Sequence, residues 1–228
     1  MAKVMKYVAE RFYRPFLLRY LSVSREYVYK GIRVEVPPGI FHPGFFFSTK
    51  LLLQYLDLQP LTGRSFLELG AGSGLISLFV AKKGAIVTAS DVNQLAVKCL
   101  ERNKALNSTA LTIHHSDLFD QIPAQRFDII AVNPPYYRKQ PATDADKAWY
   151  CGENGEYFAG FFNGLGNYTH HRSSVWMILC DGCDLDMIRG QAGRFGWVLN
   201  LVHTRTNLVE KNYIFRIEKP NQIGPHER

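Results

Sequence analysis

Ser65-Phe66-Leu67-Glu68-Leu69-Gly70-Ala71-Gly72-Ser73-Gly74 reads as a short apolar strand that runs directly into a glycine-rich turn. The stretch 74–83 that follows has helical spacing. A strand–glycine turn–helix unit lets backbone amides approach a ligand closely, because glycine lacks a Cβ and tolerates left-handed backbone. The spacing differs from the dinucleotide fingerprint, which asks for glycine at the position of Leu75; here the glycines are Gly70, Gly72 and Gly74. That difference argues against a pyrophosphate ligand.

Working outward, the pattern alternates strand and helix. Further strands are expected at 85–90, 110–115, 127–132 and 173–180, and helices at 74–83, 93–106, 155–166 and 184–194. Several strands are near-continuous apolar runs, as in a parallel sheet covered on both faces. Trp197 to Thr204 and Asn212 to Glu218 then read as two strands joined by a short polar turn, which places an antiparallel strand in an otherwise parallel sheet. Upstream, Tyr27 to Val36 alternates around Lys30-Gly31, a hairpin ended by Pro37-Pro38-Gly39. An apolar helix is expected over Lys50 to Leu58, preceded by Phe45-Phe46-Phe47, which can be core or can roof a pocket. Residues 3–21 read as an amphipathic helix interrupted near Pro15. Its other face carries Lys3, Lys6, Arg11, Arg14 and Arg19, a solvated face or a contact for phosphates. The expected organisation is an extension over 1–39, a main α/β domain over 40–219 and a loose tail over 220–228.

The chain has 228 residues, 46% hydrophobic and 21% charged, with a net charge of +7. No apolar run is long enough to span a bilayer, and the amino terminus lacks a signal-peptide pattern, so a soluble cytoplasmic protein is expected. The positive charge favours an acidic partner such as RNA or a ribonucleoprotein. Four cysteines make no disulfide framework at this size. Cys180 and Cys183 form a CxxC between an apolar run and a helix, the look of two small residues closing a strand and also the setting of a redox pair. No metal site is expected.

Three carboxylates each follow a strand. Glu68 ends the first, at the sheet's carboxyl edge, where open α/β sheets bind ligands. Asp91 ends the second and can accept from ribose hydroxyls. Asp117, in Ser116-Asp117-Leu118-Phe119, follows the third and can accept from an adenine amino group, with Leu118 against the ring. Singly, each can be a cap or turn residue. Asn133-Pro134-Pro135-Tyr136 ends the fourth. The side-chain oxygen of Asn133 and the carbonyl of Pro134 can accept the two hydrogens of a planar NH₂, and the Tyr136 ring can stack on the group that bears it.

On these motifs, residues 65–136 resemble the class I S-adenosylmethionine-dependent methyltransferases, and within them the branch with an Asn-Pro-Pro-Tyr motif. The resemblance implies a Rossmann-like, seven-stranded, mostly parallel sheet with its last strand reversed, here with an amino-terminal helix and hairpin added. It implies S-adenosylmethionine as cofactor, held by Glu68, Gly70, Gly72, Gly74, Asp91, Asp117, Leu118 and Asn133, with Asn133, Pro134, Pro135 and Tyr136 at the chemistry. The branch contains enzymes acting on glutamine side chains and enzymes acting on adenine. Ala148-Trp149-Tyr150-Cys151-Gly152-Glu153-Asn154-Gly155 is similar to a stretch of the glutamine methyltransferases that modify translation release factors, as is the segment from Phe41-His42-Pro43 to Thr49-Lys50-Leu51-Leu52. The acidic residue those enzymes carry before the threonine is replaced by Ser48. Pro38-Gly39-Ile40-Phe41 and Leu51-Leu52-Leu53 also resemble ribosomal-RNA guanine methyltransferases, which usually have phenylalanine at the place of Tyr136.

The expected activity is methyl transfer to a planar amide or amino nitrogen, first of a protein glutamine in a release factor or another protein. The alternatives are an adenine or guanine amino group of rRNA or tRNA, an RNA-binding protein on the same scaffold with little turnover, and a thiol oxidoreductase using Cys180 and Cys183.

Overall fold

The computed structural model describes residues 22–207 and 210–220. The helix expected over 3–21 and the residues beyond Pro220 lie outside that range. Two strands, β1 (Arg25–Tyr29) and β2 (Ile32–Val36), form an antiparallel hairpin turning at Lys30-Gly31, as expected. Seven more form one sheet: β3 (Ser65–Leu69), β4 (Ile86–Asp91), β5 (Thr112–His115), β6 (Ile129–Val132), β7 (Ser174–Cys180), β8 (Val198–Thr206) and β9 (Lys211–Glu218). Their order is β5-β4-β3-β6-β7-β9-β8. The last strand, β9, runs antiparallel between β7 and β8, and the other pairings are parallel. This is the seven-stranded, mostly parallel sheet with a reversed last strand that the pattern implied.

Five helices cover the faces: α1 (Phe47–Leu56), α2 (Leu75–Lys82), α3 (Gln94–Leu106), α4 (Glu156–Leu165) and α5 (Leu185–Arg194). One core joins α1, α2, α3 and the hairpin to one side of the sheet, through residues such as Leu52, Phe66, Leu78 and Leu100. The other joins α4 and α5 to the opposite side, through Leu67, Phe127, Phe158 and Phe162. Strand β6 is buried along its whole length, which is why its residues are apolar without alternation. No helix among the described residues is long and apolar enough to cross a membrane.

Two boundaries differ from the sequence reading for identifiable reasons. Strand β6 begins at Ile129 because Phe127 donates its N–H to Tyr168 O and the Asp128 side chain, instead of its backbone, accepts the Ser65 N–H. Helix α1 begins at Phe47, three residues early, with Phe46 as an N-cap that makes no side-chain hydrogen bond. The earlier start carries Ser48 into the first turn.

The hairpin docks through two asparagines four residues apart on α3. Asn103 accepts the Glu35 N–H at 2.8 Å and donates to Glu35 O at 2.9 Å. Asn107 does the same to Arg33, at 3.0 and 2.6 Å. Their amides occupy the free edge of β2 as a neighbouring strand would. Asn103 also donates to Ser73 O at 2.9 Å, tying the hairpin and the glycine-rich turn to one helix. It is fully buried. Asn103→Ala should therefore lower the unfolding free energy in urea by about 2–4 kcal/mol, because buried backbone groups lose their partners. A change under about 0.5 kcal/mol would contradict this docking role.

Candidate functional site

Strand β3 lies between β4 and β6, so the three carboxyl ends are neighbours. A cavity of about 370 Å³ opens above them, within the range of small-molecule sites. Glu68, Gly70, Gly72, Asp91, Asp117, Leu118, Asn133, Pro134, Pro135 and Tyr136 all line it. The structure thus gathers residues spread over nearly 70 positions of sequence, about the full set expected from the motifs.

The turn after β3 is held open from below. Gly70 and Gly72 have φ of 71° and 55°. A Cβ at Gly70 would meet no atom within 4 Å, and one at Gly72 only the Ile40 side chain, so both backbones border open space. Asp91 accepts the Gly72 N–H at 2.8 Å and the Asn93 N–H at 2.9 Å. Burial raises its pKa, and those two amides oppose the rise. Gly74 differs from the expectation: it does not line the cavity. It is the N-cap of α2 at φ 82°, and a Cβ there would collide with the Leu100 side chain. Glycine is needed there for helix entry and packing against α3.

Glu68 is buried beneath the turn. One carboxylate oxygen accepts the Ser77 N–H at 2.8 Å and the Ser77 hydroxyl. Burial pushes its pKa up to about 8, against the opposing pull of those Ser77 bonds. The side chain is therefore neutral below that pH.

On the far wall, Asp117 pairs with Lys147 at 3.0 Å. Lys147, which the sequence reading missed, also reaches Asp144 at 3.4 Å and borders the cavity. Leu118 has a left-handed backbone, φ 46°. It packs against the α4-side core and is the nearest side chain to Gly160, so it is anchored on α4 while bordering the cavity.

Asn133 stands at the end of β6. Its Nδ2 donates to Ser48 Oγ at 3.3 Å. That bond fixes the amide plane and leaves Oδ1 without a partner among the described residues. Ser48 was visible only as the residue replacing an acid in the family pattern. Beside it, Phe41 stacks on Phe46 with centroids 4.1 Å apart, and both lie against Trp149 at 5.5 and 5.4 Å. Of the three consecutive phenylalanines, Phe46 alone lines the cavity; Phe47 packs into the core and Phe45 against His42. Burial raises the Tyr136 phenol pKa, and the neighbouring Cys180 and Tyr137 raise it further.

Comparison with known proteins agrees with this geometry. The Methyltransferase small domain family matches residues 31–150, just over half of the chain. A Methanocaldococcus jannaschii protein, provisionally named a protein N5-glutamine methyltransferase, is 35% identical over 108 residues, 47% of this chain and 52% of that protein. Ribosomal RNA small subunit methyltransferase C of Hamiltonella defensa is 32% identical over 120 residues, 51% of this chain and 35% of that protein. The chain thus spans about half the length of the first relative and about a third of the second. A T. thermophilus 16S rRNA N2 methyltransferase, solved with AdoMet and guanosine, shares the fold with a TM-score of 0.63 at 21% identity, over 86% of this chain and 50% of that one.

The Glu68 carboxyl gives a pH test. Unfolded, it loses its proton near the ordinary 4.5; folded, near 8. Between those values the folded state holds the extra proton, so stability contributed by the group falls as pH rises. Relative to Glu68→Gln, the wild-type protein should lose on the order of a few kcal/mol between about pH 5 and about pH 8 in denaturant titrations. Parallel pH profiles for the two proteins would contradict the buried, neutral carboxyl.

Proposed function

The chain belongs to the Methyltransferase small domain family, and from that premise we propose that it transfers a methyl group from S-adenosylmethionine to a planar nitrogen, foremost the side-chain amide of a glutamine in a protein. The observation that carries this reading is the Asn133 amide, held by Ser48 with Oδ1 left for a donor in the cavity. The cavity fits the cofactor: two glycine backbones border open space, and Glu68, Asp91 and Asp117 are among the carboxyl residues that line it. Bound there, S-adenosylmethionine supplies an electrophilic methyl group on a sulfonium.

The chain's residues do the rest. The Gly70–Gly72 backbone cradles the amino-acid end of the cofactor. Glu68 gives up its proton when an ammonium group arrives beside it, since a neighbouring cation favours the ionised form. Asp91, already braced by two amides, uses its remaining lone pairs for ribose hydroxyls. Asp117 accepts from the adenine amino group, and Leu118 covers the ring. An amide nitrogen is a poor nucleophile because its lone pair is delocalised. Asn133 Oδ1 and the Pro134 carbonyl each accept a hydrogen bond from one of its N–H groups, which orients the nitrogen and favours the localised lone pair. Tyr136 stacks on the substrate's plane. Orientation alone can lower the barrier by up to ~7–11 kcal/mol. No base is needed before attack, because the nitrogen becomes acidic on methylation.

The similarity to the M. jannaschii protein favours glutamine. The Phe41, Phe46 and Trp149 rings favour a second reading, a base of RNA stacked at the mouth. Tritium transfer from labelled S-adenosylmethionine into a cell extract decides between them. Label released by protease and resistant to ribonuclease is expected; the reverse pattern assigns RNA, and no incorporation contradicts the activity.

Two variants test the roles. Asn133→Ala should lower turnover by about 10²-fold or more, with cofactor affinity by calorimetry nearly unchanged; equal losses in both would refute the assignment. Ser48→Ala should lower kcat about tenfold or more without changing the cofactor KM, and Ser48→Thr should restore it. An unchanged kcat in Ser48→Ala would remove Ser48 as a positioning residue.

A further inference from the structure

The methyl-transfer reading makes no use of Cys180 and Cys183, yet they adjoin its site. Cys180 is the last residue of β7, and Cys183 lies just before α5. Residues 180–183 form a tight turn closed by the Cys183 N–H donating to Cys180 O at 3.1 Å. Such turns keep their first and fourth Cα atoms within about 7 Å, near the span a disulfide bridges. The two sulfurs are 3.8 Å apart, and Cys183 Sγ accepts the Cys180 N–H at 3.2 Å. Both thiols are free.

The surroundings suit an oxidised sulfur at Cys180. The Tyr136 hydroxyl lies near enough to the Cys180 thiol for the two groups to shift each other's ionisation, and it favours the thiolate at Cys180. In β9, Asn212 stands directly opposite Cys180, so the two side chains share a face of the sheet. The Asn212 amide is fully buried, and both its polar atoms lack a partner among the described residues. Its Nδ2 is thus available to an oxygen placed on Cys180 Sγ. The turn has a second tie to the Asn133 motif: Arg138, two residues past Tyr136, pairs with Asp184 at 3.0 Å. The Cys183 thiol and the Gly182 N–H also favour the thiolate at Cys180, bringing its pKa down to about 7, while Cys183 keeps its proton.

We propose that Cys180 and Cys183 are a peroxide-reactive dithiol whose closure into a disulfide withdraws the Cys180 sulfur from the Tyr136 hydroxyl. The Cys180 thiolate attacks one oxygen of hydrogen peroxide. The O–O bond breaks, leaving a sulfenic acid at Cys180 and a hydroxide that takes up the proton the thiol released. Cys183 Sγ then attacks Cys180 Sγ; the S–O bond breaks, and the departing hydroxide leaves as water with the Cys183 proton. Two thiols lose two electrons, and peroxide becomes two waters. Forming the bond shortens the sulfur separation from 3.8 Å to about 2.05 Å. The consequence for methyl transfer rests on the role proposed above for Tyr136; the dithiol chemistry does not.

The test uses the full-length reduced protein and hydrogen peroxide, with an acid quench, alkylation in denaturant and peptide mass spectrometry. The peptide bearing Cys180 and Cys183 should lose two hydrogens and resist alkylation, Cys99 and Cys151 should stay free, and dithiothreitol should reverse the change. Cys183→Ser should stop at a dimedone-reactive sulfenic acid on Cys180. Tyr136→Phe should slow oxidation several-fold near neutral pH, where the Tyr136 hydroxyl favours the thiolate, and much less at high pH. Full alkylation of both thiols after peroxide, or a bridge to Cys151, would overturn the dithiol. An unchanged Tyr136→Phe rate would overturn the link to Tyr136. None of these readouts uses methyl transfer, so they stand or fall separately from that activity.

Discussion

The Asp91 carboxylate, with the Ser90 carbonyl before it accepting the Ala71 N–H at 2.9 Å, grips the Gly72 N–H at 2.8 Å. It fastens the turn leaving β3 to the end of β4, so the glycine backbone stands as a wall instead of collapsing into the space above the sheet. The opposite wall is built the same way, from the end of β6. Parallel pairing puts these ends at one level, and the crossover helices α2 and α3 take the chain away behind them. The glycine-rich turn and the Asn133 motif then border one cavity with no special device beyond strand order.

Burial organises the electrostatics of this site. The Asp91 charge adds to the cost of ionising Glu68, and both side chains are shielded from water. Glu68 answers by holding its proton, Asp91 by taking two backbone amides. A cationic group entering the cavity reverses the balance for Glu68.

Much of this was legible in the sequence. Strand β3 and its glycine turn read correctly because an apolar run ending in alternating glycines has few other structures. The carboxylates after β3, β4 and β5 and the asparagine after β6 were found because each follows a strand, and strand ends meet at one edge. What was hidden depends on partners distant in sequence. Asn103 and Asn107 carried no signal, since nothing in a one-dimensional pattern says that a strand edge needs their amides. Lys147 gave no signal at all. Ser48 was obscured by an expected helix start three residues too late. Gly74 was grouped with its neighbours by spacing, although its φ serves the helix and the other two serve the cavity. The paired cysteines read as two small residues closing a strand or as a redox pair, and only the fold sets Asn212 opposite Cys180.

The central claim is that a sulfonium donor and a planar nitrogen meet between Gly72 and Asn133. A crystal structure with S-adenosylhomocysteine, the demethylated product, tests it most directly. The account predicts the amino-acid end against the Gly70–Gly72 backbone, the ribose on Asp91 and the sulfur directed toward Asn133. A product bound elsewhere, or an empty cavity at saturating concentration, would contradict it.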